Sequence, residues 1–217
     1  MQSSSSSILI IDPYPIIREG MACVLSGLDG VSVDVSSDFP EALDRLRARG
    51  AELVITDFRI RGDNVLSFLR ELPVVCSRTR CLIVSALDEI QIGCPTILAG
   101  ASGFITKSEP VAKVLDAVRM ILAGNSYCSE RLSRALMSQQ SHGMHTIPGV
   151  HLTGRELQIF SLFGECLPVS AIAARLGVSV KTIEAHRENI KNKLSYQNSA
   201  QVIAAAVRWL DDSFVDS

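Results

Sequence analysis

The sequence lacks the usual signs of a secreted, membrane-spanning or metal-cluster protein. Its six cysteines form no C-x-x-C pair and no histidine cluster accompanies them, so neither a structural metal site nor a disulfide framework is expected. The opening residues MQSSSSS carry no basic segment of the kind that begins a signal peptide. No stretch approaches the roughly 18 apolar residues that a membrane helix needs. We therefore predict a cytoplasmic protein with no membrane contact, a disordered tail at 1–7, and cysteines that are mostly small buried hydrophobic residues.

Charge of one sign is also lacking, because the formal net charge of the 217 residues is only −2. The whole molecule therefore gives no electrostatic sign of nucleic-acid binding, although a local basic patch is compatible with this total. Apolar residues make up 47% of the chain and charged residues 20%, as in ordinary globular proteins. The length suits one large domain or two small ones.

The first 125 residues alternate short apolar runs with amphipathic segments. Runs such as LVITD and CLIVSA show almost no polar alternation, which is typical of strands covered by helices on both faces. The predicted strands are 8–12, 31–36, 53–57, 81–85 and 103–106. The predicted helices are 15–28, 40–49, 64–72, a segment before Ala99 that begins or kinks near Pro95, and 109–123 with Gly124 as C-cap. This alternation predicts an α/β domain with a doubly wound, five-stranded parallel sheet.

A second, smaller domain follows a polar stretch. The sequence LMSQQSHGMHTIPG has little apolar periodicity, and we interpret 126–150 as a linker between an α/β domain at 8–125 and a helical domain at 151–210. From Leu152 onward only helical patterns occur. Thr153 and Glu156 form a capping-box pattern, a short helix ends at Gly177, and Ser179 can cap a longer helix at 180–194. A fourth helix is capped by Asn198 or Ser199, and an acidic tail at 211–217 ends the chain.

Polar side chains follow four of the five predicted strands. Asp12 and Asp57 end the first and third strands, Ser85 ends the fourth, and Lys107 follows the fifth. Doubly wound sheets bind ligands beyond the carboxyl ends of their strands. We therefore expect these four side chains to meet in one site.

The α/β part resembles the receiver domain of two-component response regulators, which has a flavodoxin-like fold. The matching pieces are ILIIDPYPIIREG, LVITDFRI, LIVSA and GASGFITK. The resemblance implies that Asp57 accepts a phosphoryl group from a histidine kinase. It further implies that Ser85 hydrogen-bonds the phosphoryl oxygen, that Lys107 pairs with it, and that Phe104 occupies the aromatic switch position.

One residue departs from the family pattern inside this site. Receivers usually carry two adjacent acids after the first strand, the second being a direct Mg²⁺ ligand, and Pro13 occupies that place. The remaining metal ligands would be Asp12, Asp57 and the carbonyl of Arg59, which predicts a weakened Mg²⁺ site. Arg59 or Arg61 could partly replace the metal by pairing with a carboxylate, or both could simply be solvated. Two interpretations stay open: phosphorylation persists with weak metal affinity, or the receiver is degenerate and signals without it.

The helical part resembles the helix-turn-helix domain of LuxR/FixJ/NarL-type regulators, through LTGRELQIFSLF, AIAARLGVSVKTIEAHRENIKNKL and AAAVRW. On the helix at 180–194, Ile183, Ile190 and Leu194 should pack inward, which leaves the opposite face for the major groove. Glu184 can accept from a cytosine amino group and Ala185 can contact a thymine methyl group. The predicted DNA-binding residues are Lys181, Thr182, Glu184, Ala185, Arg187, Glu188, Lys191 and Lys193.

This domain is only modestly basic. Residues 150–217 carry seven Lys/Arg and seven Asp/Glu, three of the acids lying in the tail. Binding by one domain should therefore be weak and salt-dependent, and a homodimer on two promoter half-sites is expected. The resemblance assigns the dimer contact to the last helix, through Val202, Ala205, Ala206 and Trp209. Cys166, Pro168 and Ser195 depart from the family pattern away from the DNA face, so we expect altered caps and intact DNA binding.

The sequence thus predicts a DNA-binding transcriptional regulator of the response-regulator type, with no catalytic residue and no enzyme activity of its own. The main alternative is an atypical receiver switched by a partner, a ligand or abundance. A Mg²⁺-dependent phosphatase using Asp12 and Asp57 is a third hypothesis, although Pro13 removes the second acid that such an enzyme needs. The fourth is a pure protein-interaction module that has lost DNA binding.

Overall fold

The computed structural model describes residues 6–60, 63–141, 152–194 and 196–211. By its internal contacts the chain divides into two units, Met1–Ser138 and Gln139–Ser217. The first is an α/β unit and the second a helical unit.

The α/β unit contains a five-stranded parallel sheet in the order β2-β1-β3-β6-β7. This arrangement confirms the predicted fold class. The strands are β1 Ser6–Ile11, β2 Val31–Ser36, β3 Leu53–Thr56, β6 Arg80–Ser85 and β7 Gly103–Thr106. A two-stranded hairpin of β4 Arg59–Ile60 and β5 Asp63–Asn64 follows Asp57 closely. The hairpin was not predicted, because strands of two residues leave no periodicity to detect.

The first strand begins earlier than predicted, so the disordered tail expected at 1–7 is wrong for its last two residues. Ser6 pairs with Val31 in the sheet, and its backbone N–H donates to the carbonyl of Gly30 at 2.7 Å. Its hydroxyl donates to Glu52 at 3.0 Å. The neighbouring strand thus supplies partners to serines whose composition alone suggests disorder. Residues 1–5 lie outside the described part of the chain.

Helices flank the sheet: α1 Pro15–Leu25, α2 Phe39–Arg49, α3 Val65–Val75, α4 Cys94–Leu98 and α5 Val111–Leu122. A π-helical turn, Glu89–Gly93, precedes α4. Pro95 lies in the first turn of α4, where its missing N–H costs nothing, as the predicted start near this residue requires. Gly124 follows α5 with φ of 97°, a left-handed conformation that glycine adopts without strain and that agrees with the predicted C-cap.

Side chains alternate between the two faces of the sheet. Ile8, Ile10 and Ile55 face a core that includes Leu25 of α1 and Val118 of α5. Leu9, Ile11, Val54 and Ile83 are also buried and point to the other face, because successive residues of a strand point in opposite directions. The double burial explains why these strands show no polar alternation in the sequence.

The cysteines only partly follow the expectation that they are buried. Cys81 and Cys94 are buried, whereas Cys23 and Cys166 are exposed and Cys76 and Cys128 are half-buried, and all six are free thiols. The prediction is therefore wrong for Cys23 and Cys166. Both lie at surface positions, in α1 and after the first helix of the helical unit, where a small side chain is tolerated whatever its polarity.

The predicted linker at 126–150 begins with ordered structure. Tyr127 forms a parallel bridge with Gly103 of β7, and helix α6 spans Glu130–Ser141. Leu132 of this helix is fully buried. The α/β unit therefore extends past the predicted boundary at 125, a feature that the sparse apolar residues of α6 did not reveal. Residues 142–151 lie outside the described part of the chain.

The helical unit consists of α7 Gly154–Gly164, α8 Val169–Arg175, α9 Val180–Lys193 and α10 Ser199–Asp211. The capping box of Thr153 and Glu156 is present, and the Ser179 side chain accepts from the backbone N–H of Thr182, as predicted. Asn198 accepts from the backbone N–H of Gln201 at 3.0 Å, which makes it the cap of α10. The expected altered caps also occur. Cys166 has a positive φ of 55°, and Pro168 precedes α8 without a side-chain cap.

Within the residues that the structure describes, no helix combines the length and the apolar character needed to cross a membrane. Of the predicted acidic tail, Asp211 ends α10 and 212–217 lie outside the described residues.

Candidate functional site

The carboxyl ends of β1, β3, β6 and β7 bring the four predicted polar side chains together. The ammonium of Lys107 lies 2.7 Å from Asp57 Oδ2 and 3.3 Å from Asp12 Oδ2. The hydroxyl of Ser85 donates to Asp57 Oδ1 at 2.5 Å. One cation and one hydroxyl thus converge on Asp57, which is half-buried and so accessible at the sheet edge.

Backbone donors fix the orientation of both carboxylates. Asp12 is almost fully buried, and its Oδ1 accepts from the backbone N–H of Tyr14 at 2.8 Å. Asp57 Oδ1 accepts from the backbone N–H of Phe58 at 2.6 Å. Each carboxylate oxygen therefore has a donor, which is the arrangement that a buried charge requires.

Lys107 remains protonated in this setting. Burial is the largest single effect and lowers the pKa of its ammonium, but the attraction of Asp57 and then of Asp12 outweighs it, so the pKa lies above 10.5. Two carboxylates share one ammonium. The pocket consequently has a net negative charge, which would oppose the approach of an anionic ligand unless further cations were present.

The oxygen ligands suit Mg²⁺ in type but are short in number. The two carboxylates and the carbonyl of Arg59 would hold the ion, with water completing the shell that Mg²⁺ demands. Pro13 contributes no oxygen side chain where the family has its second acid. Among the described residues, no three acidic, histidine or cysteine side chains are grouped so that they could hold a metal. The ligand types therefore fit Mg²⁺, with one carboxylate fewer than the family pattern supplies.

A cationic side chain that the sequence did not suggest also lies at this corner. Arg18 of α1 donates from Nη1 to the backbone carbonyl of Asp12 at 2.5 Å and is half-buried. Its guanidinium is therefore placed beside the position of Pro13. Of the two arginines considered from the sequence, Arg59 is half-buried in β4 and Arg61 lies outside the described residues. The sequence signal for Arg18 is its spacing, about one helical turn after the start of α1 at Pro15.

Phe104, the predicted switch residue, is fully buried on β7. A Cβ built on Gly93 would lie 3.2 Å from Phe104 Cγ, so the ring packs directly against the backbone of the π-helical turn.

The second predicted site is the face of α9, and most of its residues are accessible. Ile183, Ile190 and Leu194 are buried, as predicted from their spacing. The exposed positions on the opposite side are Lys181, Thr182, Glu184, Ala185 and Glu188, while Arg187 and Lys191 are half-buried. Lys191 forms a 2.5 Å ion pair with Glu188 one turn earlier, so its ammonium is already oriented on this face.

Lys193 differs from the other predicted DNA contacts. Its ammonium lies 2.6 Å from Glu156 Oε2, and Glu156 is the buried acid of the capping box of α7. Burial raises the pKa of Glu156, but the hydrogen bonds from Lys193 and from Thr153 outweigh it and leave the pKa below 4.5. This ion pair joins the end of α9 to the start of α7, and the DNA contact expected for Lys193 stays a prediction.

The predicted dimer contacts are corrected. Val202, Ala205, Ala206 and Trp209 are all buried inside the helical unit. Trp209 packs edge-on against Phe160 of α7, with ring centroids 5.7 Å apart. These side chains complete the core and cannot touch a second copy. The sequence identified the apolar stripe of α10 that faces inward, because that stripe carries the larger residues.

Comparison with known families agrees with this geometry. Residues 8–119 match the response regulator receiver domain, and 150–206 match the bacterial regulatory proteins of the luxR family. This chain is a LuxR-type response regulator.

Relatives of known name cover nearly the whole length. The transcriptional activator protein ExaE of Pseudomonas putida is 33% identical over 92% of this chain and 95% of its own. The response regulator GacA of Pseudomonas aeruginosa is 28% identical over 93% of this chain and 95% of its own. The RcsB response regulator of Salmonella typhimurium shares the fold with a TM-score of 0.70 at 18% identity, over 95% of this chain and 98% of its own.

Proposed function

We propose that Asp57 of this LuxR-type response regulator is phosphorylated by a histidine kinase, and that its Mg²⁺ requirement is met by a weaker site than usual. The convergence of Lys107 and Ser85 on the Asp57 carboxylate is the observation that carries the proposal. Both groups already stand where a phosphoryl oxygen would need a cation and a hydrogen-bond donor.

The residues of the site support a simple transfer. A carboxylate oxygen of Asp57 attacks phosphorus, the bond from phosphorus to the donor breaks, and the donor leaves with its electron pair. Lys107 and Ser85 can shift from the Asp57 oxygens to the new phosphoryl oxygens. When bound, Mg²⁺ would neutralise charge on the transferring group, and Asp12 with the Arg59 carbonyl would help to hold it.

A small phosphodonor tests the proposal. Acetyl phosphate at rising Mg²⁺ concentration should label the full-length protein, with half-maximal labelling at a higher Mg²⁺ concentration than in Pro13→Asp, because one carboxylate is missing. Intact-protein mass spectrometry should show the added phosphoryl group in wild type and not in Asp57→Ala. Absence of any Asp57-dependent labelling, even at the highest Mg²⁺, would refute phosphorylation.

The alternative, a receiver that works without phosphorylation, predicts no labelling of Asp57. Pro13 and the incomplete set of acids favour a receiver that works without phosphorylation and is switched by a partner, a ligand or abundance. Under this alternative, DNA binding by wild type and by Asp57→Ala should be the same with or without acetyl phosphate.

We further propose that the exposed face of α9 enters the major groove of promoter DNA, in the cytoplasm. Its accessible cationic residues support this interface, and its exposed apolar residue, Val180, lies at the start of the helix. RcsB, which shares the fold, has been solved as a complex with DNA.

Fluorescence anisotropy with the promoter region upstream of the protein's own gene measures this interface. Lys181→Ala and Arg187→Ala should each weaken binding about tenfold and reduce the salt dependence, if each removes a phosphate contact. Arg119→Ala, which removes an exposed cation of the α/β unit, serves as the charge-matched control. Binding by both α9 variants at the level of this control would refute the interface.

For dimerisation we propose the outer face of α10 in place of the buried residues predicted from the sequence. Ala200, Ile203 and Ala204 are exposed at helical spacing, and Val207 is half-buried on the same side. Ile203→Glu should prevent dimer formation on DNA, seen as loss of the second binding step in a gel shift, whereas Gln201→Glu adds the same charge beside this face and should not.

A further inference from the structure

The chain does not leave the α/β unit after its last predicted helix. The backbone N–H of Tyr127 donates to the carbonyl of Ser102 at 3.0 Å, and the backbone N–H of Phe104 donates to the carbonyl of Tyr127 at 3.1 Å. Residues 126–137, which we call the docking segment, therefore begin as an addition to the edge of β7. Phe104 itself supplies one of the two hydrogen bonds.

Leu132 then inserts into a notch at Gly93. The side chain of Leu132 is fully buried. A Cβ built on Gly93 would lie 2.8 Å from Leu132 Cδ2, closer than side chains pack in proteins, and 3.2 Å from Phe104 Cγ, which is tighter than most Cβ contacts. The absence of a side chain at Gly93 thus lets the linker leucine and the switch phenylalanine occupy the same small space.

A polar clamp surrounds this notch. Ser129 donates to Glu89 Oε2 at 2.7 Å, and Arg131 donates to Asp88 Oδ2 at 2.9 Å. Asp88 in turn accepts from the backbone N–H groups of Ile90 and Gln91, so the acid that holds Arg131 also caps the π-helical turn. Glu89 is largely buried, and the docking segment supplies both of its partners: Ser129 at Oε2, and Arg131 at 3.6 Å from Oε1.

We propose that the binding of the docking segment to the α/β unit depends on the position of the Phe104 ring. The segment stays bound while the ring fills its present place and detaches when the ring moves. The path from the Asp57 pocket to Phe104 is short. Ser85, which binds Asp57, and Phe104 lie on the neighbouring strands β6 and β7, where Ile83 pairs with Phe104 and Ser85 with Thr106. That the pocket provides the input rests on the proposed function, whereas the coupling of Phe104 to Leu132 does not.

Detachment would change the tether to the DNA-binding unit. With the segment docked, the chain outside the α/β unit begins after Ser138. With the segment released, it begins after Asn125, and the added residues can extend by roughly 3.3 Å each. A longer tether changes the effective concentration at which two DNA-binding units meet on one promoter. A movement of the Phe104 side chain would thus change the length of the tether to the DNA-binding unit.

Peptide-resolved hydrogen exchange on the full-length protein tests the coupling. Leu132→Ala should speed exchange across 126–137 by about tenfold or more, because it removes the buried anchor. Met137→Ala, on the same helix with a side chain 67% exposed, is the matched control and should stay within about twofold of wild type. Phe104→Ala should also speed exchange in the docking segment. The double variant should exchange no faster than Leu132→Ala alone, since the two side chains act through one contact.

Three outcomes would overturn the proposal. Exchange in 126–137 could be unchanged by Phe104→Ala, the effects of Phe104→Ala and Leu132→Ala could add independently, or Leu132→Ala could behave like Met137→Ala. The amides of β1 and β3 report whether the unit itself stays folded. If Leu132→Ala unfolds it, Arg131→Ala removes only the exposed clamp and leaves the core filled, and it must then speed exchange in 126–137 alone.

A separate arm addresses the input. Acetyl phosphate with Mg²⁺ should speed exchange in 126–137 in wild type and not in Asp57→Ala. If the mass spectrum shows no phosphoryl group on wild type, the proposed phosphorylation fails while the Phe104 and Leu132 variants still decide the coupling. If the phosphoryl group is present and exchange in 126–137 is unchanged, phosphorylation of Asp57 does not release the docking segment, and that part of the proposal is wrong.

Discussion

The two units depart from their families' patterns in different places. In the α/β unit the departure, Pro13, lies inside the polar site, beside Asp12. In the helical unit the departures at Cys166 and Pro168 lie at the ends of helices, away from the exposed face of α9. A fold maintained by many buried residues tolerates both kinds of change, whereas a site made of four side chains does not. The difference places the departure of the α/β unit inside its polar site and the departures of the helical unit outside its predicted DNA-binding face.

The units also use charge differently. The α/β unit places two acids, the buried Asp12 and the half-buried Asp57, around one lysine. The helical unit exposes charged residues on α9 and buries Glu156, which joins α7 to α9. Four substitutions test these differences between the two units.

Lys107→Ala should have the largest effect on stability. It leaves Asp12 and Asp57 without their cation, which should cost about 2–4 kcal/mol of unfolding free energy for a pair that is mostly but not fully buried. Lys113→Ala, in an exposed pair with Glu109, should cost less than about 0.5 kcal/mol. Urea unfolding of the full-length protein, followed through the amides of β1 and β3, measures both. Equal losses would mean that the buried acids do not depend on Lys107.

The pH dependence of that loss follows from the raised pKa of Lys107. Because the folded state holds the proton more tightly than the unfolded state, the stabilisation is fully present below about pH 10.4. It is lost as pH rises through the higher pKa of the folded state. The difference between wild type and Lys107→Ala should therefore be constant at neutral pH and shrink only in strong alkali.

Pro13→Asp should strengthen Mg²⁺ binding. A third carboxylate at the corner of the pocket should lower the Mg²⁺ dissociation constant by about tenfold or more, which corresponds to roughly 1.4 kcal/mol. Pro13→Asn, which adds an oxygen without a charge, should give a smaller gain. Mg²⁺ titration followed by NMR shifts of the strand-end amides gives both constants. If Pro13→Asp binds Mg²⁺ no better than wild type, the missing acid is not what limits the site.

Glu156→Gln should lower the unfolding free energy of the helical unit by about 1 kcal/mol at pH 7. The amide keeps the cap acceptor but loses the charge that pairs with half-exposed Lys193. Since the pKa of Glu156 is lowered, its contribution is present above pH 4.5 and is lost as pH falls through the folded-state value. The variant and wild type should therefore converge in acid. Glu184→Gln on the exposed face of α9 is the control, and urea unfolding followed at the helical unit's amides compares them.

Cys166→Gly should have the smallest effect and should raise the unfolding free energy of the helical unit by about 0.5–1 kcal/mol. The φ of 55° costs a residue with a Cβ about 1 kcal/mol or more, partly offset because glycine gains freedom in the unfolded chain. Cys166→Ala keeps the strain and should not stabilise. Thermal unfolding of wild type, Cys166→Gly and Cys166→Ala measures the effect. If both substitutions stabilise the protein equally, the loss of the thiol and not the relief of backbone strain is the cause.

The sequence predicted the fold well wherever a periodic pattern meets the core. The strands at Val31–Ser36 and Gly103–Thr106 and the capping box of α7 lie where local patterns placed them. The four strand-end residues were predicted to meet because parallel strands share one carboxyl edge. That reasoning needs only the strand positions, which the apolar runs marked clearly.

The errors share a different cause, because each depended on a contact distant in sequence. The pairing of Lys193 with Glu156 was missed because nothing local to Lys193 reveals Glu156, and the inward stripe of α10 was taken for its outward one. The docking of Leu132 depends on the space at Gly93, which no periodicity encodes. Burial of a residue by a distant partner is thus what sequence patterns alone could not supply.

The bridge between Tyr127 and Gly103 has a practical consequence for isolating the α/β unit. The strand order makes β7 an edge of the sheet, and an uncovered edge invites pairing with another chain. A fragment ended at the predicted boundary of 125 would remove that cover and empty the seat of Leu132. We expect it to aggregate more readily than a fragment ended after Ser138, in which Tyr127 still covers part of the β7 edge.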